Sequence, residues 1–236
     1  MTLTIIYILI IIILFIQKVK LWKGVIIIKI LLISSGTKKD GSTMRAAHEA
    51  EKEFRRLGIT AEIFWLGNEA VFSCRGCGAC KKTGECFLKD AAYDLSMIVK
   101  DYDGFIFFTP VHYAGASGNM ISALSRLFFS KKCDLQYKPA AAISVSRRGG
   151  NVSALEEIER YFHFADMPVI SGNYPGIIHG TVRDEIECDL EGLQTVRSIA
   201  RNMTWIMRCI EAARKCGIYP EPEEEKIKTS YIRPNG

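Results

Sequence analysis

Residues 25–34, VIIIKILLIS, are followed directly by the polar stretch SGTKKDGST, residues 35–43, and this pair of segments decides the fold. The first is a β-branched apolar run of strand length, which is typical of a central parallel strand covered on both faces. Beyond the polar loop, apolar residues recur at helical spacing from Met44 to Leu57, and Gly58 supplies a helix stop. A strand, a loop and a helix in this order predict the opening unit of an α/β fold.

The same strand–helix unit repeats along the rest of the chain. Further strands are predicted at residues 61–66, 104–109, 140–145 and around 168–171. Helices are predicted at about residues 91–100, over the apolar face from Met120 to Phe128, from a capping box of Ser153 and Glu156 to about Phe164, and at about 190–215. Alternating strands and helices require a parallel sheet with right-handed crossovers. The prediction is a doubly wound sheet, whose loops share one edge, where ligands bind.

Composition limits the class of protein. The chain has 236 residues, 48% hydrophobic and 24% charged, which is enough for one α/β domain with a full core. The net charge of +5 comes from scattered Lys and Arg, so no basic block suggests nucleic acid. The chain has eight cysteines, four of them clustered within residues 74–86, and this distribution fits metal or redox chemistry better than a disulfide scaffold. We therefore infer a reducing, cytoplasmic compartment.

The N-terminus allows two interpretations. Residues 1–16, MTLTIIYILIIIILFI, are uncharged and almost entirely apolar, and Lys18 and Lys20 follow. Sixteen residues are slightly under the roughly 17 to 25 apolar residues that span a bilayer, but Val19, Leu21 and Trp22 could extend a membrane anchor to residues 1–22, and the lysines would leave the domain in the cytoplasm. The alternative is a mis-assigned start, with residues 1–24 not translated. The domain itself is predicted at 25–217, with a tail at 218–236.

A second stretch, CRGCGACKKTGEC at residues 74–86, lies in the loop after strand 2. Its spacing, C-x2-C-x2-C-x5-C, lets four sulfurs converge without a distant segment, which indicates a metal site. Gly76, Gly78 and Gly84 allow the loop to wrap tightly and aim N–H groups at sulfur. A structural zinc site usually joins two separated cysteine pairs, and a redox disulfide needs only two of the four.

The first polar loop ends at the start of a helix, where free backbone N–H groups and the helix dipole favour an anion. Ser34, Ser42 and Thr43 add hydroxyl donors, Lys38 adds charge, and Gly36 allows a tight turn. The chain contains neither a Walker loop nor a G-x-G-x-x-G fingerprint, so a tight dinucleotide site is not expected.

Five motifs, in this order, resemble one known family. They are SSGTKKDGSTMR, CRGCGACKKTGEC, TPVHYAGASGNM, SRRGGN and SGNYPG. The chain is similar over residues 28–215 to flavodoxin-like NAD(P)H-dependent FMN reductases of the iron-sulfur flavoprotein type. The resemblance implies a flavodoxin-like, doubly wound, five-stranded parallel sheet of order 2-1-3-4-5, with the cysteine-rich loop after strand 2.

The resemblance also implies the cofactors and their residues. FMN would be bound by Ser34, Gly36, Lys38, Ser42, Thr43, Pro110, Val111, His112, Tyr113, Gly115, Arg147, Gly149 and Gly150. A [4Fe-4S] cluster would be held by Cys74, Cys77, Cys80 and Cys86. The chain has Gly36 where relatives commonly carry a serine, and Thr37 where they carry a proline. His112 is the candidate for tuning the flavin or delivering a proton, and packing is an equal interpretation of it.

Three functional hypotheses follow. The first is an FMN-dependent oxidoreductase in which the cluster relays electrons to or from FMN, with a ferredoxin-like or nicotinamide donor. Relatives of this type are homo-oligomers, dimers or tetramers, in which the cysteine loop would serve a flavin across a subunit boundary. The second is an NAD(P)H-dependent flavin or quinone reductase without a cluster, NAD(P)H stacking transiently on the flavin. The third is a flavodoxin-like electron carrier or tethered binding module without turnover.

Overall fold

The computed structural model describes residues 28–222, 224, 225 and 227. Both interpretations of residues 1–24 therefore lie outside the described residues, as does most of the predicted tail at 218–236. Within the part that is described, no helix combines the length and the apolar character needed to cross a membrane.

Strands and helices alternate as the sequence predicts. The strands are β1 (Lys29–Ser34), β2 (Thr60–Trp65), β3 (Gly104–His112), β4 (Gly115–Ala116), β5 (Ala140–Ser146) and β6 (Ile177–His179). The helices are α1 (Ser42–Arg56), α2 (Ala79–Thr83), α3 (Ala91–Ile98), α4 (Gly118–Leu135), α5 (Asn151–Phe164), α6 (Arg183–Ile186) and α7 (Leu190–Lys215). The last long helix has the predicted bounds, 190–215.

The sheet runs in the order β2-β1-β3-β5-β6, and the short strand β4 pairs antiparallel with the end of β3. Counted without β4, the parallel strands have the order 2-1-3-4-5, which confirms the flavodoxin-like prediction. The register places Ser34 beside both Trp65 and Phe108, and Thr109 beside Ser144. The carboxyl ends of these strands are therefore level, and their loops meet at one edge.

Two predicted boundaries are wrong. Within the expected strand at 168–171, Val169 makes only an isolated bridge to Ala140, and the fifth parallel strand is β6, later in the chain. Gly176 lets the chain approach β5 closely just before β6, because a Cβ atom there would lie 2.2 Å from the carbonyl oxygen of Ala142. Helix α5 begins at Asn151, before the expected capping box, so Ser153 lies inside the helix.

The core has two layers, one on each face of the sheet. Leu31, Ile33 and Phe107 point to the face covered by α3, α4 and α5. Their neighbours Leu32 and Phe108 point to the face covered by α1 and α7. Side chains alternate faces along a strand, so a continuous apolar run serves both layers.

Candidate functional site

A pocket of about 480 Å³ opens at the carboxyl edge of β1, β3, β5 and β6. This volume lies within the roughly 300 to 1,000 Å³ range of cofactor and small-ligand sites. The lining residues are Gly36, Thr37, Lys38, Asp40, Gly41, Ser42, Thr43, Pro110, Val111, His112, Val145, Ser146, Arg147, Gly180, Thr181, Val182 and Arg183.

The N-terminus of α1 forms one end of this pocket. Gly41 caps the helix without any side-chain hydrogen bond, so the N–H groups of the first turn face the pocket without a side-chain acceptor. Lys38, Ser42 and Thr43 line the same end and add a cation and two hydroxyl groups. Helix-end N–H groups beside a cation and hydroxyl donors suit a phosphate.

Gly36 holds the loop close to this helix end. A Cβ atom there would lie 3.0 Å from Thr43 Cβ, so a serine at this position would have to displace the threonine side chain. The indole N–H of Trp65 donates to the Gly36 carbonyl oxygen at 2.6 Å and fixes the loop from the neighbouring strand. The Thr43 side chain thus occupies the space beside Gly36.

The end of β3 forms the opposite wall. Pro110, Val111 and His112 line the pocket, and the chain then reverses through left-handed backbone at Tyr113 and Ala114 into β4. The Glu157 carboxylate accepts the Ala116 N–H at 2.7 Å and ties this hairpin to α5. The His112 side chain is exposed and has no hydrogen-bond partner among the described residues, so nothing within the chain fixes its ring.

Three buried hydroxyl groups support the floor between these walls. Ser117 Oγ donates to Ser35 Oγ at 2.7 Å, and Ser35 Oγ in turn donates to Thr109 Oγ1 at 3.3 Å. The Ser117 N–H donates to Thr109 Oγ1 at 2.9 Å. All three residues are almost completely buried, so the network joins β1, β3 and the start of α4.

The turn from β5 to α5 closes a third side. Ser146 Oγ donates to the Asn151 side-chain oxygen at 2.5 Å, and the Asn151 amide donates to the Ser144 carbonyl oxygen at 3.1 Å. These bonds fix the two ends of the turn, and Arg147 lines the pocket between them. Gly150 packs against the β3–β4 hairpin, since a Cβ atom there would lie 2.6 Å from Ala114 Cα.

The structure brings most of the candidate FMN residues to one pocket. Of the thirteen, Gly36, Lys38, Ser42, Thr43, Pro110, Val111, His112 and Arg147 line it. The remaining five do not line the pocket: Ser34, Tyr113, Gly115, Gly149 and Gly150. Ser34 is fully buried and its Oγ accepts the Gly36 N–H at 3.3 Å, while the Tyr113 side chain is fully exposed.

Sequence reasoning missed the fourth side of the pocket. Residues 180–183, GTVR, follow β6 and line the pocket with a hydroxyl group and a guanidinium. Because the fifth strand was predicted around 168–171 and not at β6, the loop after β6 was not expected at this edge of the sheet. The signal was present, because the apolar pair Ile177–Ile178 is followed by a polar stretch containing Gly180, as at the other strand ends.

The cysteine segment forms a separate, smaller pocket. All four cysteines line it together with Arg126, Phe87 and Phe129, and its volume is about 20 Å³. The glycines at 76, 78 and 84 adopt left-handed backbone, and the Gly76 N–H donates to Cys74 Sγ at 3.5 Å. Among the described residues, no group of three or more His, Cys, Asp or Glu side chains stands in a geometry that would hold a metal ion. The chain thus supplies four thiol donors around one cavity.

The parallel sheet and the pocket at its carboxyl edge define a flavodoxin-like protein. Similar solved structures include RosB, with a TM-score of 0.61 and 14% identity over 87% of this chain and 94% of that one. An NAD(P)H:quinone oxidoreductase from Methanothermobacter marburgensis has a TM-score of 0.59 and 11% identity over 76% of this chain and 98% of that one. At these identities the similarity shows the fold alone.

The family model described as NADPH-dependent FMN reductase matches residues 28–181, and the chain belongs to this family. It is an FMN-dependent oxidoreductase. Similar proteins include an iron-sulfur flavoprotein of Methanocaldococcus jannaschii, 26% identical over 78% of this chain and 99% of the relative. Another, from Methanosarcina thermophila, is 26% identical over 79% of this chain and 98% of the relative.

Proposed function

We propose that the chain binds FMN in the pocket at the sheet edge and a [4Fe-4S] cluster on Cys74, Cys77, Cys80 and Cys86, and that it relays single electrons between them. The observation that carries the proposal is that four thiols line one cavity of a chain whose larger pocket suits FMN. The flavin would supply the step between one-electron and two-electron chemistry. The names of the archaeal relatives support the same pair of cofactors.

The phosphate of FMN would lie at the N-terminus of α1. Lys38 would offset its charge, and Ser42 and Thr43 would donate their hydroxyl groups. The uncapped first turn of the helix leaves backbone N–H groups for the remaining phosphate oxygens. These groups bind the phosphate in both redox states of the ring, so they contribute affinity rather than reactivity.

The ring of FMN would lie against the wall at Pro110, Val111 and His112. Pro110 and Val111 supply apolar contact, and Arg147 and Arg183 place positive charge on the facing sides of the pocket. Positive charge beside the ring favours its reduced, anionic form. His112 is free to turn its ring nitrogen toward the flavin, which makes it our candidate for holding a proton at that position.

The cysteine loop has the donors for a cluster but must open to admit one. A cavity of about 20 Å³ has room for little more than one water molecule. Cys77 is exposed, and Gly76, Gly78 and Gly84 adopt left-handed backbone. Backbone N–H groups aimed at sulfur, such as that of Gly76, would then stabilise the thiolates.

The two pockets share no lining residue. Helix α4 connects the two pockets within one chain, since Ser117 at its start belongs to the hydroxyl network beneath the flavin pocket and Arg126 lines the cysteine pocket. We propose instead that the chain forms homo-oligomers in which the cysteine loop of one copy faces the flavin of another. Electrons would come from a ferredoxin-like or nicotinamide donor.

The test is an anaerobic preparation assayed for iron, sulfide and flavin, with Cys77→Ala beside a matched control, Cys209→Ala. Cys209 is exposed on α7, outside the cysteine pocket. We expect about four iron atoms and one FMN per chain in the unmodified protein and in the control, and loss of most iron in Cys77→Ala. If Cys77→Ala retains the iron and sulfide of the unmodified protein, the proposed ligand set is wrong.

One observation favours a second candidate function. The family model that matches residues 28–181 is described as NADPH-dependent FMN reductase, which fits an NAD(P)H-dependent flavin or quinone reductase without a cluster. The same preparation separates the two proposals. A yellow protein that contains FMN but no iron, and that NADPH bleaches rapidly, would establish the second.

A further inference from the structure

Arg126 is a buried cation in the wall of the cysteine pocket. It lies on α4, is only 3% exposed, and lines the cavity together with all four cysteines. Long cationic side chains are rarely buried to this degree unless their charge is compensated. The partners of its guanidinium group therefore indicate its role.

The guanidinium bonds to both sides of the cysteine segment. Nη1 donates to the carboxylate of Asp90 and to the Phe72 carbonyl oxygen at 3.4 Å, and Nη2 donates to the Leu88 carbonyl oxygen. Phe72 lies two residues before Cys74 and Leu88 two residues after Cys86. One buried side chain thus joins the two ends of the loop that carries the four thiols.

Asp90 holds this arrangement in place. Its carboxylate accepts the N–H groups of Ala92 and Tyr93 at 3.1 and 3.2 Å and so caps α3. It also accepts the Phe72 N–H at 3.2 Å. The carboxylate therefore anchors the guanidinium to the start of α3.

The remaining nitrogen, Nε, has no such partner. It is buried, and among the described residues it is the one buried side-chain nitrogen or oxygen without a hydrogen-bond partner. Leaving a buried N–H of a charged group unpaired is costly. Arg126 and Cys86 line the same cavity, so a sulfur-bound group in that cavity would lie within reach of the unpaired N–H.

We propose that Arg126 is a positioning residue for the cluster: it closes the cysteine loop through Phe72 and Leu88, and its Nε–H donates to a sulfur of the loaded centre at the Cys86 side. This inference rests on the proposed function, since it needs a cluster on the four cysteines. Hydrogen bonds to sulfur and nearby positive charge stabilise the reduced, more negative form of a cluster. Arg126 thus raises the reduction potential of the cluster.

The experiment compares Arg126→Lys and Arg126→Gln with a matched surface control, Arg55→Gln. The Arg55 side chain is 76% exposed on α1, which covers the opposite face of the sheet from α4. Anaerobic protein is assayed for iron and sulfide, and the cluster is titrated by electron paramagnetic resonance. We expect a tenfold lower equilibrium constant for reduction in both Arg126 variants, which is about 59 mV for one electron. The control should match the unmodified protein.

A spectroscopic measurement on the unmodified protein tests the inference even if the Arg126 variants fail to fold. In the unmodified protein grown with ¹⁵N-arginine, electron–nuclear double resonance of the reduced cluster should show a ¹⁵N coupling. Arg75 also lines the pocket, so the measurement is repeated in Arg75→Lys, where the coupling should persist. The assignment to Arg126 is then independent of any change at Arg126 itself.

The outcomes separate the inference from the proposed function. Absence of iron from the unmodified protein defeats the proposed function and the inference with it. A loaded unmodified protein defeats the inference alone in two cases: folded variants with full iron and unchanged potential, or no ¹⁵N coupling. Folded variants that bind FMN but load less iron support the loop-closing role, and a lowered potential supports the hydrogen bond to sulfur.

Discussion

Gly150 is the residue through which two walls of the flavin pocket meet. Its backbone is left-handed, with φ of +90°, and a Cβ atom would lie 2.6 Å from Ala114 Cα and 2.9 Å from Val111 Cγ1. We expect Gly150→Ala to lower the free energy of unfolding by about 2 to 4 kcal/mol, because it combines left-handed strain with overpacking against backbone. It should also weaken FMN binding, since the hairpin carrying Val111 and His112 must move. Urea denaturation and flavin titration measure the two effects.

The neighbouring glycine is the matched control. A Cβ atom at Gly149 meets nothing within 4 Å, so Gly149→Ala should change stability by less than about 0.5 kcal/mol. Equal destabilisation by the two variants would show that the tight contact at Ala114 has no special role. Nothing in the sequence distinguished these glycines, because the difference lies in how closely the hairpin approaches.

For other site residues too, the sequence pattern predicted the kind of residue but not where its side chain lies. The hydroxyl, lysine and glycine pattern of residues 34–43 predicted a phosphate end, and Lys38, Ser42 and Thr43 do line one pocket. Sequence alone did not show that Ser34 is buried beneath the loop or that Trp65 ties down Gly36, because both depend on tertiary contacts. Residue type was thus more predictable than side-chain direction.

At the scale of elements, long continuous apolar runs predicted strands correctly, whereas short apolar runs did not. β1, β3 and β5 are buried on both faces and stood out as apolar runs. β6 has only three residues, and the predicted strand around 168–171 is a competing apolar segment that forms a single bridge. Gly176 approaches the Ala142 carbonyl oxygen closely beside β6, and hydrophobic periodicity does not reveal such a contact.

Helices α1 and α7 are joined by ion pairs that predict a pH dependence. The pKa of Glu53 is lowered to about 2, first by a hydrogen bond from Arg56 and then by one from Arg201 across the interface. A lowered pKa contributes stability that is complete above the ordinary value near 4.5 and is lost as the pH falls toward 2. Both arginine side chains are more than half exposed, so solvent screening limits the contribution to about 1 to 2 kcal/mol.

We therefore expect Glu53→Gln to be about 1 to 2 kcal/mol less stable than the unmodified protein at pH 6. The difference should shrink between pH 4.5 and pH 2, because the unmodified carboxylate becomes protonated. Chemical denaturation at several pH values gives both curves, and Glu156→Gln, at an exposed site on α5, is the control. Curves that stay parallel over this range would contradict the assignment to Glu53.

At the scale of the whole molecule, α4 connects two sites that are otherwise separate. Its cap, Ser117, belongs to the hydroxyl network beneath the flavin pocket, and Arg126 closes the cysteine loop. Nine residues of helix separate them, a distance of roughly 13 Å along the axis. The sequence predicted that the cysteine loop and the flavin loops share one edge of the sheet; the structure adds that their pockets have no residue in common.

This separation predicts independent binding of the two cofactors within a chain. We expect Lys38→Ala to weaken FMN binding about tenfold by removing a phosphate contact, and to leave iron content unchanged. Cys77→Ala should lose iron and leave the FMN dissociation constant unchanged. In the double variant the two losses should combine with a coupling free energy below about 0.5 kcal/mol, as for sites that share no partner. Flavin fluorescence titrations and iron assays on the four proteins measure this. These expectations apply to protein dilute enough to be monomeric, where a dissociation constant for FMN that rises in Cys77→Ala would contradict independent binding within a chain. A rise confined to the oligomer is instead the result expected if the cysteine loop faces the flavin of a neighbouring copy.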